Sequence, residues 1–129
     1  MTDQSFGWYR KLRKADEFSS VLRFRCGWQG RLMDVRAGPN GLGYGRLGMI
    51  VPKRLVVSAV KRNRIKRLIR ECFRQRQSEL AGLDIIARLR ASATDHPADE
   101  TRLRDDFLKG MAACRACVRG RRHHPNDTE

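Results

Sequence analysis

Acidic residues are scarce in this chain. Fourteen Asp and Glu stand against 28 Lys and Arg, which leaves a net charge of +14. Self-repulsion on that scale disfavours a compact state unless a polyanion relieves it. Histidine is scarcer still. His96 lies in a polar loop sequence and His123 and His124 in a polar tail, so no apolar pattern places any of the three. No nucleophile–base pair can be assembled, and acids such as Asp105 and Asp106 sit beside Arg104 and near Lys109 rather than in a cluster that would grip a metal. We therefore expect no catalytic residue and no metal ligand from this chain. An apolar run near 18 residues is missing as well, which excludes a transmembrane helix. The opening MTDQSFGWYRKLRKADEF lacks the apolar segment of a secretory signal, so a cytoplasmic protein is expected. There are four cysteines, expected to be reduced in that compartment. Cys114-Arg-Ala-Cys117 followed by His123-His124 raises a zinc site. No second C-x-x-C exists, however, and the return to histidine is short, which favours two thiols on a C-terminal helix.

What is present suits one α+β domain of 129 residues, with no internal repeat. Residues 1–14 read as a flexible basic arm, 15–118 as the folded domain and 119–129 as a disordered polar tail. ADEFSSVLRF sets Phe18, Val21 and Leu22 at helical spacing, with acids in the first turn. RLMDVRA (31–37) alternates, with Met33, Val35 and Ala37 on one face, and RLGMIV (46–51) reads as a second strand; the spacing predicts an antiparallel hairpin between them. The intervening Gly43-Tyr-Gly45-Arg-Leu-Gly48 matches G-x-G-x-x-G, but a strand follows it where a dinucleotide site needs a helix. Ser58 is a candidate N-cap for a helix from about Ala59 to Leu80, with Gly82 as its stop. LDIIAR (83–88) predicts a buried strand. After a loop, Pro97 suits a helix start, and Leu103, Phe107, Met111, Cys114 and Val118 form the core stripe of a last helix. These elements predict one small sheet with helices on one face.

The segment VKRNRIKRLIRECFRQRQ carries the strongest signal. Residues 61–76 hold eight Lys or Arg against the single Glu71, a net +7 and half the charge of the whole chain. At 100° per residue, Ile65, Leu68, Ile69, Cys72 and Phe73 fall within about 140°, while Asn63, Lys66, Arg67, Arg70 and Arg74 lie opposite. A merely solvated face would mix signs to gain i,i+4 pairs. This one concentrates repelling guanidinium groups on a rod whose other side is needed for docking, so nucleic acid is the expected partner. Trp8, Tyr9, Phe18, Phe24 and Trp28 near the basic N-terminus suit stacking with irregular or single-stranded RNA, although Phe18 and Phe24 also suit a core.

VKRNRIKRLIRECFR resembles the signature helix of the bacterial ribonuclease P protein component, with RKADEFSSVL similar to its first helix, LGMIVPKR to the strand before it and LDIIAR to the strand after it. The resemblance spans roughly residues 10–118. It implies an α-β-β-β-α-β-α sandwich with an unusual left-handed crossover, and a small subunit of a ribozyme. The RNA would remove the 5′ leader of precursor tRNA with Mg²⁺ that the RNA requires; the protein would bind no cofactor itself and would be inactive alone. The implied contacts to ribonuclease P RNA are Lys53, Arg54, Lys61, Arg62, Asn63, Arg64, Lys66, Arg67, Arg70 and Arg74. Those implied for the precursor tRNA leader are Arg13, Phe18, Leu22 and Met33. The chain departs from the family after Lys53-Arg54, where Leu-Val-Val-Ser replaces the usual glycine-containing stretch, and at Leu22, where an aromatic is common. A ribosomal-type RNA-binding protein is the alternative. A membrane is not an expected partner, since the helix's apolar face is needed for the core, and the resemblance implies RNA and not DNA.

Overall fold

The computed structural model describes residues 11–92 and 98–123, with side chains as far as Arg121. The readings placed on Trp8, Tyr9, His96, Pro97 and His124, on the His123 side chain and on residues 1–10 of the basic arm lie outside the described residues. The element order is α1 (Ala15–Phe24), β1 (Cys26–Gln29), β2 (Met33–Pro39), β3 (Arg46–Ile50), α2 (Ala59–Gln75), β4 (Leu83–Leu89) and α3 (Asp99–His123). That is the α-β-β-β-α-β-α order implied by the resemblance.

The sheet corrects the expected hairpin. Its strand order is β1-β2-β4-β3, so β2 and β3 do not touch. β4 lies between them, antiparallel to β2 and parallel to β3. The reason is the composition of LDIIARL. Leu83, Ile85, Ala87 and Leu89 are buried toward one face, while Asp84 and Ile86 are buried toward the other. A strand apolar on both faces takes the centre of a sheet. The glycine-rich segment 40–44 consequently spans β4 instead of closing a tight turn. It is pinned on both sides of Gly82, by Asn40 N–H to Gly82 O at 2.9 Å and Gly82 N–H to Tyr44 O at 3.3 Å. β1, which local periodicity did not separate from its surroundings, pairs antiparallel with β2. At the opposite edge Leu12 N–H donates to Leu47 O at 3.0 Å, adding a short bridge outside β3.

Helices cover both faces, not one. Strand alternation sends Met33, Val35, Ala37 and Leu47 into one core, with the docking residues of α2 and the stripe Leu103, Phe107, Met111, Cys114 and Val118 of α3. On the opposite face α1 crosses the sheet, and Val21 packs with Leu12 and Ile86 in a second, smaller cluster joined by Phe18. The split follows from α1 itself, since a ten-residue helix with one buried residue, Val21, can line only a small core.

The cysteines require a second correction. Cys26, at the start of β1, is disulfide-bonded to Cys117 of α3 across a sequence separation of 91. Cys114, the other half of the C-x-x-C, remains a buried thiol 3.3 Å from Val35 O, and burial pushes it up to about 11. Helical geometry explains the division: Cys114 lies on the buried stripe, while Cys117, three residues on, stands at its margin beside β1. Arg121, one turn further, donates to Phe24 O and places its guanidinium 4.3 Å from the Phe24 ring centroid.

Candidate nucleic-acid interface

α2 divides as its periodicity predicts. The buried residues are Ile65, Leu68, Ile69, Cys72 and Phe73. Lys61, Asn63, Arg64 and Arg67 are exposed, and Arg62, Lys66, Arg70 and Arg74 are partly so. Ser58 caps the helix, its Oγ accepting from Lys61 N–H at 3.2 Å. The helix ends at Gln75, short of the expected Leu80. Residues 76–82 continue as tight turns, closed by Leu80 N–H to Arg76 O and Gln77 O, and Gly82 at φ +83° redirects the chain into β4. These turns bury Leu80 under the sheet, where a straight helix would carry it away.

Little on this surface neutralises the charge. Glu71 is engaged by Arg74, whose hydrogen bond holds its carboxyl below the ordinary range. Glu100 approaches Arg64 only at 3.9 Å, with both side chains largely exposed, a pair worth little in water. Arg62 has a structural task that sequence reasoning missed. Its guanidinium donates to Val56 O at 2.9 Å and Val57 O at 2.7 Å, fastening the loop before α2. That loop begins with a turn in which Leu55 and Val56 N–H donate to Pro52 O, and it exposes Lys53 and Arg54 at the N-terminal end of the helix.

A second feature lies on the other face of the sheet. An open groove of about 710 Å³ runs beside α1, lined by Leu22 and Arg25 of the helix end, by β1, by Asp34 and Arg36 of β2 and by Arg88 of β4. Arg25 adopts φ +67° at the helix C-cap, turning the chain sharply from α1 into β1. Asp34 is the one carboxylate lining the groove among the described residues. Arg88 and Arg90 approach it at 3.9 and 3.7 Å, and its Oδ1 is buried without a hydrogen bond.

The four expected leader contacts separate. Leu22 borders the groove and is 47% exposed. Phe18 instead packs down on Gly48, where an added Cβ would come within 2.6 Å of the ring, so the close approach depends on glycine. Arg13 is exposed just before α1, and its N–H donates to Glu17 Oε1 at 2.8 Å. Met33 must be corrected: it is fully buried, in phase with Val35 and Ala37 on the α2–α3 face, and offers the groove no surface. Sequence reasoning missed Arg25, Arg36 and Arg88. The signal for the last two was alternation, because each occupies the position between core residues of its strand.

One polar network joins the arm to the sheet. Asp84, 4% exposed, accepts from Arg46 Nε at 2.9 Å, from Arg46 NH2 at 2.8 Å and from Asn40 Nδ2 at 2.9 Å. Arg46 NH1 donates to Glu17 Oε2 at 2.9 Å. The other oxygen of Glu17 accepts the N–H groups of Lys14 and Arg13, and those two backbone bonds, Lys14's first, are the main reason its carboxyl titrates below the ordinary range. Among the described residues, no group of three or more His, Cys, Asp or Glu gathers as a metal cage, and no helix is long and apolar enough to cross a membrane.

A family model described as Ribonuclease P matches residues 6–114. The ribonuclease P protein component of Nitrosomonas europaea is 47% identical over 96 residues, covering 72% of this chain and 76% of its own. That of Chromobacterium violaceum is 42% identical over 108 residues, covering 82% and 88%. The solved RNase P protein of Staphylococcus aureus superposes with a TM-score of 0.69 at 28% identity, over 80% of this chain and 93% of that one. With the signature helix, the strand order and these similarities together, the chain belongs to the ribonuclease P protein family.

Proposed function

We propose that this chain is the protein subunit of a ribonuclease P, binding the catalytic RNA through the outer face of α2 and the 5′ leader of precursor tRNA in the groove beside α1. The observation that carries the reading is the division of α2. Five apolar residues hold the helix against the sheet, and the cations opposite them have one helical acid, already engaged by Arg74. Such a rod presents charge at fixed spacing, so its phosphate contacts require little reorganisation. Lys53 and Arg54 extend the cationic surface at the N-terminal end of the helix. In the groove, Arg25, Arg36 and Arg88 suit phosphates and Leu22 suits a base or sugar. Cleavage belongs to the RNA and its Mg²⁺; the protein supplies positive charge that lets two polyanions approach. It acts in the cytoplasm, where its RNA partners are.

Filter binding to ribonuclease P RNA across a salt series tests this. If α2 engages about six phosphates, affinity falls by about three orders of magnitude between 50 and 200 mM salt. The purified protein alone leaves precursor tRNA intact, and added to the RNA at low Mg²⁺ it restores cleavage at the mature 5′ end. A flat salt response, or ribosomal RNA as the copurifying species, would overturn the assignment.

A further inference from the structure

Val57 and Val60 are 84% and 72% exposed, the highest values among the large hydrophobic residues described. Their exposure does not come from a loose segment. Val56, between the loop and the core, is buried at 3%. Val57 O is held by the Arg62 guanidinium, and Ser58 between the two valines caps α2. Both side chains are thus displayed from fixed backbone at the N-terminal end of the helix. On the helical wheel Val60 falls with Asn63, Arg64 and Arg67, within about 60° on either side and away from the docking face. A β-branched apolar residue serves a solvated helix position poorly, in propensity and in hydration. Its place at the head of a cationic stripe calls for another account.

We propose that Val57 and Val60 form an apolar pad for an unpaired base of the bound RNA, with the Asn63 amide facing that base's edge. This rests on the RNA-subunit reading above and names what α2 recognises besides phosphate. Charge selects the occupant. Lys53 and Arg54 of the preceding loop and Lys61, Arg64 and Arg67 of α2 are all exposed, and the nearby acids described are Glu71, engaged by Arg74, and Glu100, beside Arg64. Phosphates occupy the cations, which leaves the base as the apolar surface of the same nucleotide to be covered. Unstacked bases present such faces in single-stranded RNA, and Asn carries both donor and acceptor for a base edge. The pad and the cations are separable, because apolar contact releases no counterions whereas each phosphate contact does.

The test measures the affinity of the full chain for ribonuclease P RNA over a salt series, comparing V57S/V60S with R64A/R67A. The valine variant should bind about 10-fold more weakly at every salt concentration, with the slope of log affinity against log salt unchanged. The arginine variant should lose slope, by about one to two. V57A, which lies outside the helix, serves as a second variant should the double substitution disturb the cap, and it should show a smaller loss of the same kind. Unchanged affinity in the folded valine variants would overturn the pad. So would a slope loss equal to that of the arginine variant. Wild-type RNA affinity accompanied by lost self-association, or by lost binding to phosphatidylglycerol vesicles, would assign the pad to a second copy or to a lipid surface and overturn it equally. If neither variant alters RNA binding, the RNA-subunit reading of α2 fails together with the pad; if only the arginine variant does, the pad alone fails.

Discussion

Asp84→Asn isolates the buried centre of the polar network. The substitution keeps shape and volume and removes one negative charge. Asp84 Oδ1 accepts two donors, Arg46 Nε and Asn40 Nδ2, and Oδ2 accepts a third, Arg46 NH2. An amide has one acceptor oxygen, so in either orientation its NH₂ confronts a donor. If the oxygen takes the Oδ1 place, the NH₂ meets Arg46 NH2; if it takes the Oδ2 place, the NH₂ meets both other donors. Charge-assisted hydrogen bonds contribute about 1.5–3 kcal/mol each, and breaking a buried pair from one side costs about 3–5 kcal/mol. Arg46 keeps Glu17, and its side chain retains 19% exposure, so the lower end applies. We expect a loss of about 3 kcal/mol. With a urea dependence near 2 kcal/mol per M, the unfolding midpoint falls by roughly 1.5 M. Asp84→Asn combined with Arg46→Met removes both sides, and the double variant should lose less than the two single losses added together. A loss under about 1 kcal/mol for Asp84→Asn, or strict additivity in the cycle, would show that the network adds little to the fold.

Other consequences follow from the same contacts. Because the Glu17 carboxyl titrates below its ordinary 4.5, the stability it contributes is fully present above that value and is lost as pH falls through the lower folded value; Glu17→Gln should flatten the acid limb of stability measured from pH 6 downward, and an unchanged limb would contradict its role. Phe18→Ala should cost about 2–3 kcal/mol, below the roughly 3–5 of a fully buried Phe because the ring over Gly48 is only partly buried. Leu22→Ala should leave stability nearly intact while narrowing the preference for precursor over mature tRNA; the reverse pattern, read by unfolding and competition binding, would relocate the leader site. The Cys26–Cys117 bond closes a loop of 91 residues, so reduction should cost up to about 4–5 kcal/mol by chain entropy. Four alkylatable thiols in the unfolded, unreduced protein would disprove the bond.

The parts legible in the sequence are those whose information is local. α2 could be read because its docking residues and its cations repeat within one helix, and the buried set Ile65, Leu68, Ile69, Cys72 and Phe73 matches the apolar sector residue for residue. α1 and the stripe of α3 were legible for the same reason. Strand order was not, because adjacency in sequence favours a hairpin of β2 with β3, and only the two-sided burial of LDIIARL makes β4 the better neighbour of both. Met33 shows how an implied role can conflict with a pattern already visible: its alternation with Val35 and Ala37 placed it in the core. The Cys26–Cys117 pair joins residues that no local pattern relates. The groove cations stand on neighbouring strands far apart in sequence, so Arg36 and Arg88 become one site only when β2 pairs with β4.

The central position of β4 also determines how the two candidate surfaces relate. Leu83, Ile85, Ala87 and Leu89 face the core that carries α2, while Asp84, Ile86 and Arg88 face α1, the arm network and the groove. The cationic rod and the groove therefore lie on opposite sides of one sheet, and a single flat RNA surface cannot cover both. On the proposed function this is what the task requires: one side is held by the catalytic RNA while the other stays open to a leader arriving with each new substrate. It also separates the effects of substitution. Changes on the outer face of α2 should alter assembly of the ribonucleoprotein, whereas changes at Leu22, Arg36 or Arg88 should alter substrate preference in particles already assembled. The strand of Asp84 links the two sides, because its Leu83, Ile85, Ala87 and Leu89 enter the core shared with α2 while the Asp84 carboxylate orients Arg46, Glu17 and, through Glu17, the backbone of Arg13 and Lys14.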